Sequence, residues 1–247
     1  MDGIKLNALC VKAVDYKDNK TLLTLCTVEK GKISAAITGC KSAKSKLRFA
    51  ASLLCFGEYI LSERGGFFTV TNCALTDGFY EVRGDIDKLY SALAVIELLD
   101  KTTAEHTDIS DYVYLALDAL KNIAYKDTPL FFLLKYLADL SELSGYSVDL
   151  NNCLNCGSPA YPRYFDISLG GGVCLECLSH NSADIGETVF KLLHDIIYTK
   201  TADIPPKPYI IEGISILYGY FSAYNEIKIN AINQLLVLNG NGGQEYV

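Results

Sequence analysis

The chain has 247 residues, of which half are apolar and 21% are charged, and its formal net charge is −7. This composition is ordinary for a globular protein and excludes an intrinsically disordered chain, which would be poorer in apolar residues. The length allows one large domain or two or three small ones, each with its own core.

The sequence shows no signal for export or membrane insertion. Residues 1–12 lack a cationic stretch followed by a long apolar run, so they do not resemble a secretory signal. The most apolar windows, residues 89–99 and 210–221, are short or interrupted, and crossing a bilayer takes about 18 apolar residues. We therefore expect a cytoplasmic protein with no membrane partner and with reduced cysteines.

Charge is distributed unevenly along the chain. Residues 1–80 carry 11 basic and 7 acidic side chains, whereas residues 81–247 carry 11 basic and 22 acidic ones. The overall acidity argues against a nucleic-acid partner, but the first segment taken alone is basic. This asymmetry indicates one interacting module and a remainder with a different role.

Five extended segments are predicted in the first 80 residues, at 4–15, 21–28, 32–39, 52–62 and 67–74. Ile33, Ala35 and Ile37 alternate with residues of the opposite face, which is the period of a half-buried strand. Five short strands in about 80 residues favour a small closed barrel of the OB or SH3 type. Periodicity does not distinguish these two. Five single cysteines are expected to be small hydrophobic residues of this region: Cys10, Cys26, Cys40, Cys55 and Cys73.

Helical periodicity begins after residue 84. Asp85 is a plausible N-cap of a first helix, a second helix fits residues 110–124, and a third begins at Thr128 and Pro129 and ends near Gly145. Asp184 and Glu187 have the spacing of a capping box before a fourth helix. After a proline-rich interruption, a last helix is predicted from about residue 211 toward residue 236.

Four cysteines form two pairs of zinc-ligand spacing. Cys153 and Cys156 are separated by two residues, as are Cys174 and Cys177, and 17 residues lie between the pairs. This spacing is typical of a zinc ribbon or knuckle, in which a tight turn directs both sulfurs of a pair to the metal. Four thiolates leave no coordination position for water, so a structural zinc ion is predicted. His180, three residues after Cys177, is an alternative ligand, although an exposed loop histidine is the simpler interpretation.

Some enzyme families have cysteine pairs of this spacing, but the chain lacks the other motifs of those families. Adenylate kinase lids have such pairs, but the chain contains no GxxxxGK[ST] loop. Sirtuins have them too, but no glycine-rich nucleotide motif follows a strand. No HExxH or GxSxG motif occurs either, so we expect a protein that is not an enzyme.

A cluster of cations follows the third predicted strand. Lys41, Lys44, Lys46 and Arg48 lie within eight residues, and Lys30 and Lys32 lie at the preceding turn. Cations on the rim of a barrel bind phosphates without sequence preference. The alternative is a solvated surface loop. Several aromatic residues could stack on bases, although core packing explains most of them: Phe49, Phe56, Tyr59, Phe67 and Phe68.

Taken together, these motifs resemble the RecO family of bacterial DNA repair proteins. The N-terminal part of the resemblance comprises residues 21–27, 29–32 and 38–41, followed by Ser45 and Lys46. The C-terminal part comprises residues 143–150, the first cysteine pair, residues 164–166, the glycines at 170–172 and the second pair. The resemblance spans essentially the whole chain.

The resemblance implies an N-terminal OB-fold β-barrel over residues 1–80. A mainly α-helical domain over residues 81–247 would follow, with a four-cysteine zinc element inserted at about residues 150–180. It also implies a recombination mediator that binds single- and double-stranded DNA and anneals complementary strands. With RecR, such a protein helps RecA load on DNA covered by single-stranded-DNA-binding protein, whose acidic, hydrophobic C-terminal tail it binds. No residue of this chain is assigned to that tail.

One departure from the family and two alternatives follow from the same residues. The family usually has arginine where this chain has Lys41 and Lys44, and lysine provides a point charge without a bidentate fork. A zinc-stabilised adaptor that binds proteins and no DNA is one alternative. A zinc enzyme is the other, but it would require an open coordination position at the metal.

Overall fold

The computed structural model of this protein describes residues 3–16, 19–42 and 44–240. The chain divides into two compact units, Met1–Tyr125 and Lys126–Val247. The first unit therefore extends beyond the predicted boundary at residue 80. Whether residues 1–80 act as a separate DNA-binding domain stays a prediction.

Five strands of the first unit form a closed barrel. They are β1 (Ile4–Tyr16), β2 (Lys20–Thr27), β3 (Gly31–Thr38), β4 (Phe56–Arg64) and β5 (Phe67–Asp77). Their order around the barrel is β1, β2, β3, β5 and β4, with β3 and β5 parallel and the other pairs antiparallel. This five-stranded Greek-key order is that of the OB-fold, and it decides between the two barrel types that the sequence left open.

The barrel interior is filled by the predicted alternating face. Ile33, Ala35 and Ile37 are buried, whereas Ser34 and Thr38 are exposed. Tyr59 is fully buried, and its hydroxyl donates a hydrogen bond to the Ala50 carbonyl at 2.9 Å, so its polar atom is satisfied inside the core. The five single cysteines are all buried, which confirms that they are core residues of this region.

Two helices complete the first unit, α1 (Ile86–Thr102) and α2 (Ser110–Tyr125). The predicted cap of α1 is confirmed, because the Asp85 carboxylate accepts a hydrogen bond from the Lys88 N–H at 2.9 Å. The loop between the helices packs on the barrel at Gly31, where the Thr107 carbonyl occupies the space that a Cβ would need.

The second unit contains four α-helices and a small sheet around the cysteines. The helices are α3 (Pro129–Leu143), α4 (Gly186–His194), α5 (Lys207–Asn225) and α6 (Asn230–Leu238), and a π-helical turn (Asp195–Thr199) extends α4. The sheet has strands β6 (Tyr164–Asp166), β7 (Gly171–Gly172) and β8 (Ser182–Asp184), with β6 in the centre. Helix α5 lies against α3 and α4.

Two helix predictions were wrong in detail. The predicted capping box at Asp184 and Glu187 does not form, since Asp184 pairs with Arg163 and the N-cap residue of α4 is Ile185. The single last helix is two helices, α5 and α6. The break occurs at Glu226, whose left-handed φ of 52° ends α5. Within the described residues, no helix is long and apolar enough to cross a membrane.

Substitution of Gly31 tests the contact between the barrel and the α1–α2 loop. Gly31 and Gly39 both have positive φ, of 70° and 75°, but a Cβ at Gly39 meets no atom within 4 Å. Gly39→Ala should therefore lower the free energy of unfolding by about 1 kcal/mol through backbone strain alone. Gly31→Ala should lower it by a further ~1 to 3 kcal/mol, because the loop must move. Denaturant titrations followed by circular dichroism compare the two, and equal losses would rule out the tight contact.

Candidate functional site

The four predicted ligands come together in the second unit. The sulfur atoms of Cys153, Cys156, Cys174 and Cys177 all lie within 4.8 Å of one another. The Cys156 and Cys174 sulfurs are 3.7 Å apart. A tetrahedron with zinc–sulfur bonds of about 2.3 Å has sulfur–sulfur edges of about 3.8 Å. The donor set and its spacing therefore fit a tetrahedral metal ion, and His180 is not part of the cluster that the described residues form.

Local backbone geometry forms the two cysteine turns. In the first turn, the Gly157 N–H donates to the Cys153 carbonyl at 2.8 Å, and Gly157 adopts a positive φ of 76°. In the second, the Cys177 N–H donates to the Cys174 carbonyl at 3.1 Å in a 3₁₀ turn. A hydrogen bond from the Leu154 N–H to the Gly172 carbonyl connects the first turn to β7. Each turn thus positions one pair of sulfurs.

Two thiols of the cluster have pKa values shifted in opposite directions. Burial raises the pKa of Cys153, but backbone N–H donors of Cys174, Cys156 and Asn155 outweigh it and lower the pKa to about 6. Hydrogen bonds with Cys174 and Cys156 raise the pKa of Cys177 to about 12. Four neighbouring thiols cannot all lose their protons without a compensating charge. A divalent cation would supply that charge and release the remaining protons.

A buried carboxylate organises the loops beside the cysteines. Asp166, at the end of β6, is 2% exposed and accepts five hydrogen bonds of 2.6 to 3.1 Å. The donors are the N–H groups of Ser168 and Leu169 and the hydroxyls of Ser168, Ser179 and Ser182. Burial raises the pKa of Asp166, but these donors outweigh it, and the net pKa lies below its ordinary value of 3.8. Asp166 belongs to the stretch 164–166 that carries the family resemblance, but sequence reasoning assigned it no role.

The predicted basic segment, defined here as residues 41–48, lies between β3 and β4 in the first unit. Leu47 and Phe49 pack against the barrel core, whereas Lys44, Lys46 and Arg48 are exposed. Ala43 lies outside the described residues. Successive tight turns shape the segment, including Ser45 N–H to the Ser42 carbonyl at 2.9 Å. The alternation of apolar and basic residues therefore anchors one face and presents the other to solvent.

The six predicted DNA-binding cations are not equivalent in the structure. Lys44, Lys46 and Arg48 form no ion pair with any residue that the structure describes, and all three lie on the exposed side of the basic segment. Lys41 lies 3.1 Å from the Asp15 carboxylate, and both groups are solvent-exposed, so this pair is weak. Lys30 is exposed with its ammonium 5.6 Å from the Phe68 ring centroid.

Lys32 differs from the other five cations. Its side chain is 12% exposed, its ammonium donates to the Asp100 carbonyl at 2.6 Å, and the Asp100 carboxylate is 3.3 Å away. Lys32 is thus bound to Asp100 near the C-terminal end of α1. Its positive charge is already compensated by Asp100, so Lys32 is a weaker candidate for phosphate binding than the five exposed cations.

The five aromatic residues that could stack on bases differ in their exposure to solvent. Tyr59 is fully buried, and Phe49, Phe56 and Phe68 are partly buried. Phe67 is 80% exposed, at the first position of β5. Core packing accounts for the others, as the sequence pattern suggested, but not for Phe67.

Comparison with known proteins decides the family. The family described as recombination protein O N terminal matches residues 1–79, and the family described as recombination protein O C terminal matches residues 83–230. The chain belongs to the RecO family. The two matches meet close to the end of β5, so the N-terminal one comprises the barrel.

Several curated relatives carry the name DNA repair protein RecO. The protein from Acetivibrio thermocellus is 27% identical over 208 residues, or 83% of each chain. The protein from Desulforamulus reducens is 28% identical over 233 residues, or 91% of each chain. The protein from Clostridium novyi is 30% identical over 183 residues, or 70% of this chain and 68% of its own. These RecO relatives support a role in DNA repair and recombination.

Replacement of Asp166 tests the network beside the cysteines. Asp166→Asn keeps the shape but removes the charge that the donors stabilise, so it should lower the free energy of unfolding at pH 7 by about 1 to 3 kcal/mol. Because the folded pKa is depressed, this stabilisation is complete above pH 3.8 and is lost as the pH falls through the folded value. The difference between native and variant proteins should therefore shrink below about pH 4. The exposed Asp203→Asn is the control, and a pH-independent difference would contradict the assignment.

Proposed function

We propose that this chain is a recombination mediator that binds single- and double-stranded DNA through its N-terminal barrel. It anneals complementary strands and, with RecR, assists RecA loading on DNA covered by single-stranded-DNA-binding protein, whose C-terminal tail it binds. The supporting observation is the basic segment, with its exposed cations anchored on an OB-fold barrel in a chain of the RecO family. The protein acts in the cytoplasm on the nucleoid and makes or breaks no bonds.

The arrangement of cations suits the DNA backbone. Lys30, Lys41, Lys44, Lys46 and Arg48 provide five positive charges, and all but Lys41 have no ion-pair partner among the described residues. Phosphates that replace counterions on such a surface give affinity without sequence preference, and the affinity falls steeply with salt. Lysine lacks the bidentate fork of arginine, so four of the five act as point charges.

We further propose that the metal bound by the four cysteines is zinc and that its role is structural. All four coordination positions are sulfur, which leaves none for water or substrate. Cys153, Cys156, Cys174 and Cys177 would hold the ion and so fix the two turns to the β6–β8 sheet. Its binding energy would contribute directly to the folding of this element.

The DNA interface is tested by reversing two cations of the basic segment. Lys44→Glu/Lys46→Glu should weaken binding to a labelled single-stranded oligonucleotide by at least about tenfold at 50 mM salt, measured by fluorescence anisotropy. The salt dependence should also flatten, by about 0.7 in logarithmic slope for each phosphate that the variant no longer neutralises.

A variant of equal charge change provides the control. Lys121→Glu/Lys126→Glu alters two exposed lysines at the end of α2 and just after it, outside the basic segment. It should change the affinity much less. If both variants lose affinity equally, net charge alone governs binding and the assigned interface is wrong.

The zinc proposal is tested by metal analysis of the purified protein. We expect about one zinc ion per chain, its loss in Cys153→Ala, and a destabilisation on the order of several kcal/mol, because binding energy is folding energy at such sites. Cys40→Ala removes a buried barrel cysteine and should retain the full zinc content. Full stability of Cys153→Ala without metal would contradict a structural role.

An adaptor without DNA binding is the second candidate, favoured by the excess of 22 acidic over 11 basic residues after residue 80. It predicts no DNA binding even at low salt, together with intact capture of RecR. A coordination sphere with a water ligand would instead favour a zinc enzyme. DNA binding with four sulfur ligands would exclude both.

A further inference from the structure

The four sulfurs of the cysteine cluster differ in their access to solvent. Cys153 is 1% exposed, Cys174 and Cys177 are partly buried, and Cys156 is exposed. The residues on either side of Cys156, from 154 to 159, are exposed as well. A dissolved oxidant of a few atoms can therefore reach the Cys156 sulfur directly, whereas the protein covers the sulfur of Cys153.

The Cys156 sulfur lies beside a sulfur of the other pair. Cys156 Sγ and Cys174 Sγ are 3.7 Å apart. A disulfide bond is about 2.05 Å long, so the two sulfurs need to approach each other by only about 1.7 Å. A small rotation of the two side chains supplies this movement, so a disulfide bond between the pairs requires no rearrangement of the turns.

Backbone hydrogen bonds hold the two cysteine turns together without using the sulfurs. The Leu154 N–H donates to the Gly172 carbonyl at 3.2 Å, and the Gly172 N–H donates to the Asp149 carbonyl at 2.8 Å. The Tyr161 N–H donates to the carbonyl of Val173, which is fully buried and directly precedes Cys174. The turns therefore stay adjacent when the thiolates change their bonding partners.

We propose that Cys156 is a site of oxidation by hydroperoxides and that its oxidised sulfur forms a disulfide bond with Cys174. This oxidation site rests on the proposed zinc site, because both cysteines are among the four proposed ligands, and it adds a redox response to that site. Disulfide formation uses two of the four thiolates that the metal needs. The two remaining sulfurs do not complete a tetrahedral site, so the element loses its ion.

The reaction is written here for hydrogen peroxide, the simplest hydroperoxide. The Cys156 thiolate attacks one peroxide oxygen, the O–O bond breaks, and a sulfenic acid forms while the departing hydroxide takes up a proton. The Cys174 thiolate then attacks the Cys156 sulfur, the S–O bond breaks, and a second hydroxide leaves and is protonated. Overall, two thiols lose two electrons and two protons, and one peroxide is reduced to two water molecules.

A disulfide bond between the pairs preserves what the metal provides. A bond within the first pair, between Cys153 and Cys156, would leave the two turns joined by backbone contacts alone. The bond from Cys156 to Cys174 instead crosses from one turn to the other and closes a loop of residues 156–174, which restricts the unfolded chain. The oxidised element should therefore keep its fold without metal, and reduction should return it to the form that binds zinc.

Peptide mapping of the native protein tests the position of the bond, because trypsin separates the two pairs. Cleavage after Lys135, Arg163 and Lys191 places the first cysteine pair on one peptide and the second pair on the next. After treatment with hydrogen peroxide and blocking of free thiols, mass spectrometry should find these two peptides joined, with fragmentation placing the bond at Cys156 and Cys174. The five buried cysteines of the barrel should stay reduced and serve as the internal control.

Zinc release and native proteolysis give the second readout. A chromogenic chelator should report release of about one zinc ion per chain in step with the joined peptides, and a dithiol reductant with added zinc should reverse both. Arg163, which is exposed, is the site to follow in native digestion by trypsin. The oxidised protein should resist cleavage there much longer than reduced protein from which a chelator has removed the metal.

Two serine variants form a matched pair, since each removes one of the four ligands. Cys156→Ser should slow the joining of the two peptides by at least about tenfold, because Cys153, the remaining cysteine of that peptide, is buried. Cys177→Ser keeps both reacting sulfurs and should join the peptides at least as fast as the native protein. Equal rates in the two variants would contradict the role of Cys156.

The zinc content before oxidation distinguishes failure of this proposal from failure of the zinc site. If the protein contains zinc but peroxide leaves the two peptides separate, or forms disulfides only within each pair, the oxidation site is wrong while the structural zinc stands. If the purified protein contains no zinc, the zinc proposal fails, and the redox response that rests on it fails too. Neither result bears on DNA binding by the barrel.

Discussion

Closure of the barrel is the constraint on which the first unit depends. The 13-residue strand β1 pairs with β4 through its first half and with β2 through its second half, and at Ala8 and Leu9 it pairs with both. A register shift between Cys10 and Lys12 lets the strand bend between its two partners. Closure gives each of the five strands two neighbours, although β3 and β5 pair only at residues 35–37 and 68–70. It also fixes which side chains of the five strands point outward.

The barrel presents two kinds of exposed surface, and each is held in place in a different way. The basic segment is anchored because Leu47 and the following Phe49 pack against the barrel core, whereas Lys44, Lys46 and Arg48 are exposed. The outer face of β1, β2, β3 and β5 is instead part of the sheet itself, and its side chains are placed by strand register. The two surfaces therefore differ both in charge and in how firmly the fold holds them.

The irregular segment of the second unit is stabilised by different interactions from those of the barrel. Residues 144–185 contain only short strands and turns, so they bury little backbone in regular structure. Two kinds of polar interaction compensate: four sulfurs arranged for one metal ion, and the Asp166 carboxylate with its five donors. Both need charge inside a compact element, and each combines groups that are close in the sequence with groups from more distant positions.

The sequence by itself determined the local features. Strand and helix periods, the cap at Asp85, the buried cysteines and the paired ligand spacing are all properties of neighbouring residues, and the structure agrees with them. Tertiary structure alone decided the OB order of strands, the engagement of Lys32 with Asp100, the break at Glu226 and the exposure of Phe67. Phe67 and Phe68 are adjacent and chemically identical, so no local pattern distinguishes them. Strand pairing does, because it turns one ring into the core and the other toward solvent.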